Sequence, residues 1–125
     1  VYLGKELTIQ NVTDNSITHA KLTTPIRQSV KTNTSVITTA QTLAATQHYF
    51  VDTTLGSVTV TFPASPSLGD TIYLSDAYGT WDTNNCIVNP NGGKINSNTA
   101  NQTLSSEYDS KEYIFIGGTA GWRTV

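Results

Sequence analysis

The sequence predicts an all-β fold, an antiparallel β-sandwich-like lobe over residues 36–125 behind an extended segment over residues 1–35, and three observations predict it. Charged residues make up only 13% of the 125, about half the usual share, while Thr, Ser and Asn are plentiful; β-branched Thr fits a pleated sheet, and Asn and Ser favour turns. Two runs, "SVTVTFP" and "TIYLSD", alternate apolar and polar side chains, the period of a half-buried strand. Proline and glycine clusters then break the second part of the chain at short intervals, as strand-and-turn folds require.

Taken in order, residues 1–35 carry isolated apolar side chains, Leu7, Ile9, Val12, Ile17, Leu22, Ile26 and Val30, with no sustained period. Collapsed, the whole chain has a radius of gyration of about 14 Å, whereas 35 extended residues reach on the order of 110 Å. Alone they hold too little apolar surface to offset an ordering entropy of about 1–2 kcal/mol per residue. If ordered, this segment must borrow partners, and winding with identical copies supplies both apolar contacts and backbone hydrogen bonds.

Residues 36–51, "VITTAQTLAATQHYFV", fit either a helical turn at Ala40, Leu43 and Ala44 or strand; the Thr pairs and the "HYFV" end favour strand. In "SVTVTFP", Val58, Val60 and Phe62 face one side and Thr59 and Thr61 the other. Pro63 and Pro66 end that run, because proline has no N–H for a ladder, and "SLGD" turns the chain. "TIYLSD" follows, with Ile72 and Leu74 inward and Thr71 and Tyr73 outward. Further strands are expected at 85–89, around 93–96, at 102–105 and at 112–116, and "GGTAG" reads as the turn of a closing hairpin into "GWRTV".

The length allows one domain with a core. Seven Lys and Arg are scattered and the formal net charge is -2, so the basic footprint of a nucleic-acid binder is missing. No apolar run approaches the roughly 20 residues that span a bilayer, so membrane insertion is not expected, and residues 1–30 lack the order of a secretion signal. The first residue is Val1 rather than Met, and a fragment of a longer protein is expected. Cys86, the single cysteine, reads as a buried thiol, since no His, Lys or Arg adjoins it to lower its pKa.

Several segments carry a resemblance in the same order. "NSITHAKL" (residues 15–22) resembles the Ile-Thr-x-Ala-Lys-Leu elements that recur in the shafts of tailed-bacteriophage fibre proteins. "YFVDTTLGSVTVTFPASPSLGDTIYLSD", "NNCIVNPNGGKI" and "YIFIGGTAGWRTV" resemble the small β domain at the ends of many phage fibre and virion appendage proteins. The matched segments cover most of residues 47–125 plus one shaft element, so a long repetitive shaft is not expected within this sequence. The resemblance implies a homotrimer with an intertwined shaft segment and a C-terminal knob that contacts the host surface or caps the shaft. It also implies a place on a virion assembled in the bacterial cytoplasm, with other virion proteins as partners and a host-surface glycan or protein as the attachment target. Leu7, Ile9, Val12, Ile17, Leu22, Ile26 and Trp122 are the candidate trimer-interface residues.

"DAYGTWDTNN" (residues 76–85) is the most site-like loop. Trp81 with Tyr78 and Tyr73 offers aromatic faces for a sugar ring, and Asp82, Asn84 and Asn85 offer bonds to its hydroxyls. The bland reading is an ordinary turn whose Trp packs on the sheet, as most Trp side chains do. Asp76, Asp82 and Asn84 also offer oxygens to a cation, but the D-x-[DN]-x-[DN]-G calcium spacing is absent. Neither His19 nor His48 has a second metal ligand at useful spacing, although His19 could meet its copies on a trimer axis. No metal or cofactor is expected.

Catalysis finds little support. Glycoside hydrolysis needs two carboxylates held a few ångströms apart; Asp76, Asp82, Glu107, Asp109 and Glu112 are the candidates, and "SSEYDSKE" reads as a solvated turn. No G-x-S-x-G elbow appears, and the glycine loops at 89–93 and 117–121 precede no helix whose N-terminus could bind phosphate. A structural and adhesive module, not an enzyme, is the expectation. Its rivals are a purely structural decoration, head-fibre or trimer-capping module, and a monomeric carbohydrate-binding module.

Overall fold

A computed structural model describes residues 31–32 and 35–125. These form nine strands and no helix: β1 (Lys31–Thr32), β2 (Gln41–Thr42), β3 (Gln47–Val51), β4 (Val58–Thr61), β5 (Thr71–Asp76), β6 (Cys86–Asn89), β7 (Gln102–Leu104), β8 (Ser110–Phe115) and β9 (Trp122–Thr124). The two best-patterned runs pleat as expected. Val58, Val60 and Phe62 are buried and Thr59 and Thr61 half-buried, while Ile72 and Leu74 are buried beside half-buried Thr71 and Tyr73. Residues 36–51 hold strands rather than a helical turn, and Thr46, at φ 62°, separates β2 from β3.

The strands alternate between two sheets, ordered β1-β3-β5-β8-β9 and β2-β4-β6-β7. Within the first, β1, β3 and β5 are parallel, with Lys31 opposite Gln47 and Gln47 opposite Ile72. Within the second, β2, β4 and β6 are parallel, with Gln41 opposite Val60 and Val58 opposite Cys86. The backbone therefore winds as a coil of three turns, each giving one strand to each sheet. Only then does it reverse: β7 runs antiparallel to β6, β8 to β5, and β9 to β8.

The expected antiparallel sandwich is thus corrected to two mixed sheets. Alternation along a strand dictates which side chains face the core, but says nothing of the direction of the neighbouring strand. Parallel neighbours need a crossover between them, and here the crossover of each sheet is a strand of the other. The strand expected at 93–96 is also replaced, by a loop in which Ile95 makes isolated bridges to Asn98 and Trp122. Asn96 and Ser97 follow at φ 50° and 68°, a left-handed backbone that no strand continues through. The closing hairpin is present, Phe115 opposite Trp122. At its turn Gly121 has φ 74°, and a Cβ there would collide with the Lys94 carbonyl.

The reversing strands cover one side of the coil in both sheets: β8 and β9 lie beyond β5, and β7 beyond β6. On the other side β1 and β2, two residues each, are the edges among the described residues. β1 lies before residue 35 and pairs with β3, so the sheet reaches back across the boundary expected between the two parts. Leu7, Ile9, Val12, Ile17, Leu22 and Ile26, with His19 and Val30, lie outside the described residues.

Both sheets bury their inner faces in one cluster, with Tyr49, Val51, Ile72, Leu74, Tyr113 and Trp122 from the first and Val58, Val60, Cys86, Val88 and Leu104 from the second. Each such aliphatic or aromatic side chain contributes about 1.5–3 kcal/mol. Trp122, a candidate trimer-interface residue, is 1% exposed and makes edge contacts with Phe62 and Phe115, so its own lobe already covers it. No buried side-chain nitrogen or oxygen among the described residues lacks a hydrogen-bond partner.

Candidate functional site

Three loops meet at one end of the lobe: 52–57 between β3 and β4, 77–85 between β5 and β6, and 105–109 between β7 and β8. Asp76, the last residue of β5, ties the second and third together. Its Oδ1 accepts from the backbone N–H groups of Tyr78 (3.3 Å), Gly79 (3.0 Å) and Thr80 (3.1 Å), and its Oδ2 from Trp81 (3.1 Å) and Tyr108 (2.9 Å). One carboxylate thereby fastens loop 77–85 to Tyr108, 32 positions from Asp76 in sequence. Burial by itself would push this carboxyl up; the N–H groups of Trp81, Tyr108, Thr80 and Tyr78 outweigh it and hold Asp76 below the ordinary 3.8.

The loop that looked most like a sugar site is turned toward its own fold. Trp81 is 0% exposed, and its indole Nε1 donates to the Val51 carbonyl at 3.2 Å, so it offers no stacking face to a ligand. Asn84 Nδ2 donates to the Thr53 carbonyl at 2.9 Å, and Asn85 Nδ2 to the Trp81 carbonyl at 2.8 Å. Thr53, fully buried, pairs its hydroxyl with that of Thr80 at 2.9 Å. Asn84 and the Thr53–Thr80 pair hold loop 77–85 against loop 52–57, and Asn85 braces loop 77–85 on itself. Tyr73 lies elsewhere, on the outer face of the first sheet, its ring 5.7 Å from the His48 ring. There His48 Nε2 meets Ser75 Oγ at 2.7 Å, and Ser75 Oγ meets Ser110 Oγ at 2.8 Å.

What remains open at the loop end is Tyr78, 58% exposed, and the exposed Asp82. The fold adds two residues that sequence reasoning passed over: Tyr108, 70% exposed, and Leu55, 99% exposed. Tyr108 sits inside "SSEYDSKE", which reads as a solvated turn; the long-range β5–β8 pairing, the bond from Asp76 N to the Asp109 carbonyl and the bond from Tyr108 N to the Asp76 carboxylate bring it beside the other loop. The Tyr108 ring lies where a side chain at Gly79 would be, and Gly79 has φ 71°. That position therefore admits glycine alone.

The other candidate acids are dispersed or engaged. Asp76 has both oxygens committed to backbone donors, Asp109 Oδ2 lies 3.4 Å from Lys111 Nζ, and Asp82 and Glu107 are exposed. No group of three His, Cys, Asp or Glu able to hold a metal converges among the described residues. Cys86 is fully buried; burial, reinforced by the Asp76 charge, pushes its thiol up to about 12, which keeps it protonated and poorly nucleophilic. Burial likewise raises Tyr113, whose hydroxyl donates to Gln102 Oε1. Compared with protein-family models and with curated proteins, the chain matches none.

Proposed function

We propose that this chain is a structural and adhesive module of a fibre-like virion appendage, homotrimeric through intertwined copies of residues 1–35, with the Tyr78 and Tyr108 loops touching the host surface. The observation that carries the reading is the asymmetry of the coil. Among the described residues, the reversing strands β7, β8 and β9 cover one side of both sheets, while the two-residue parallel strands β1 and β2 are the edges on the other. Natural sheets cover or shorten such edges because unpaired backbone invites further strands, so a lobe finished on one side suits the tip of a longer object. The apolar poverty of residues 1–35 is the reason for assembly: sister copies supply the contacts that the segment lacks.

The loop end suits weak, repeated contact. It presents Tyr78 and Tyr108 on loops held by Asp76, and Leu55 on a loop tied to them through Thr53, Thr80 and Asn84, so little ordering entropy is lost on contact. Three lobes per fibre then raise avidity without any single tight site. The test is binding of the fluorescently labelled trimer to bacterial cells: Tyr78→Ala and Tyr108→Ala reduce it while the melting temperature holds. Binding that survives both substitutions favours a purely structural decoration or trimer-capping module. Trp81→Ala is unsuitable for this purpose, because removing a fully buried indole disturbs the fold itself.

A further inference from the structure

At the end of the lobe away from Asp76, a cleft of about 300 Å³ opens between the turns that follow β4, β6 and β8. Half-buried Pro63, Pro66 and Phe115 form its walls, and Pro90 and Trp122 are buried within the lining, the Phe115 and Trp122 ring centroids 5.6 Å apart. Lys94 is the one charged residue of the lining. It is half-buried and forms no ion pair among the described residues. The floor itself holds Lys94 in place: its carbonyl accepts from Trp122 N at 2.8 Å, and Gly121 packs so closely that a Cβ there would strike that carbonyl. Gly92 and Gly118, also in the lining, have exposed backbones whose N–H groups donate to no other group among the described residues.

From this arrangement we infer that the cleft is a binding site for a carboxylate-bearing sugar ring. The volume is at the small end for ligand sites and fits one ring. The half-buried rings of Pro63, Pro66 and Phe115 match the C–H faces of a pyranose. The free N–H groups of the rim match its hydroxyls, and the lone ammonium with no acid beside it selects a carboxylate over a neutral or cationic group. The site is separate from the Tyr78 and Tyr108 surface, so it stands whether or not that surface attaches to cells.

The test is an amide-resolved NMR titration of the full chain with methyl glucuronide, with methyl glucoside and benzoate as the neutral and the aromatic-carboxylate comparison. The expected result is saturable shifts at Gly92, Gly93, Gly118 and Gly121 with the glucuronide. Methyl glucoside binds at least about tenfold more weakly, and Lys94→Gln weakens the glucuronide by a similar factor. Ala64→Trp, at an exposed rim position, blocks the shifts while leaving the melting temperature in place. No shifts at millimolar glucuronide, affinity indifferent to Lys94→Gln, or benzoate binding as tightly as the glucuronide would each overturn the assignment.

Discussion

Replacing Asp76 by Asn changes one atom in kind and almost nothing in volume, yet it strikes the point where two loops are joined. Oδ1 keeps its three donors from Tyr78, Gly79 and Thr80, but an amide nitrogen now takes the place of Oδ2 and points its own hydrogens at the N–H groups of Trp81 and Tyr108. Flipping the amide only moves the conflict to the other three. Two charge-assisted bonds are lost, each worth about 1.5–3 kcal/mol, and buried donors are left without acceptors. A loss of roughly 3–5 kcal/mol follows, a large part of the stability of a domain this size. Urea unfolding followed by tryptophan fluorescence measures it, because Trp81 sits inside the affected loop. Asp82→Asn, at an exposed position, is the control and stays within about 0.5 kcal/mol of wild type. The sign with pH is also determined. The folded carboxyl lies below its ordinary 3.8, so its contribution is complete above that value and disappears as pH falls through the lower folded pKa. Wild type therefore loses stability steeply on acidification, and Asp76→Asn loses less over the same range. An Asp76→Asn protein within 1 kcal/mol of wild type, or one with an unchanged acid profile, would refute the role given to this carboxylate.

Gly79→Ala costs about 2 kcal/mol or more, from the left-handed backbone and the Tyr108 ring together. Adding Tyr108→Ala removes the collision but not the backbone penalty, so a double-mutant cycle by urea unfolding yields a coupling of about 1 kcal/mol; strict additivity contradicts the packing described. Cys86, protonated up to about pH 12 by burial, reacts with a disulfide reagent at mildly alkaline pH only as the lobe unfolds, and labelling in native buffer at the rate of a free thiol contradicts this. Trp81→Ala lowers stability by about 3–5 kcal/mol, read from the urea midpoint, whereas Tyr78→Ala stays near wild type.

Val58, Val60, Phe62, Ile72 and Leu74 were legible in the sequence because period two is a property of each strand by itself. The parallel order was not. It depends on which strand lies beside which after a crossover through the opposite sheet, and no local residue encodes that. The loop at 76–85 was legible as a feature, but the choice between a sugar site and a packed turn was not. Its aromatic and amide groups suit a sugar as well as they suit their own backbone, and the deciding partners of Trp81 and Asn84, Val51 and Thr53, lie about thirty residues away. One local signal was available: an Asp with Gly three positions on, at a strand end, is the arrangement in which a carboxylate caps the next turn. Lys94 and the proline cleft left no trace in the sequence, since three separate turns have to converge before the space exists.

Mass in solution bears most directly on the claim that residues 1–35 assemble this protein. Light scattering on a size-exclusion column, run at micromolar protein, should give three times the 13.5 kDa chain, and deletion of residues 1–30 should leave a folded lobe of single-chain mass. A full-length chain that elutes at 13.5 kDa and melts cooperatively would contradict the account.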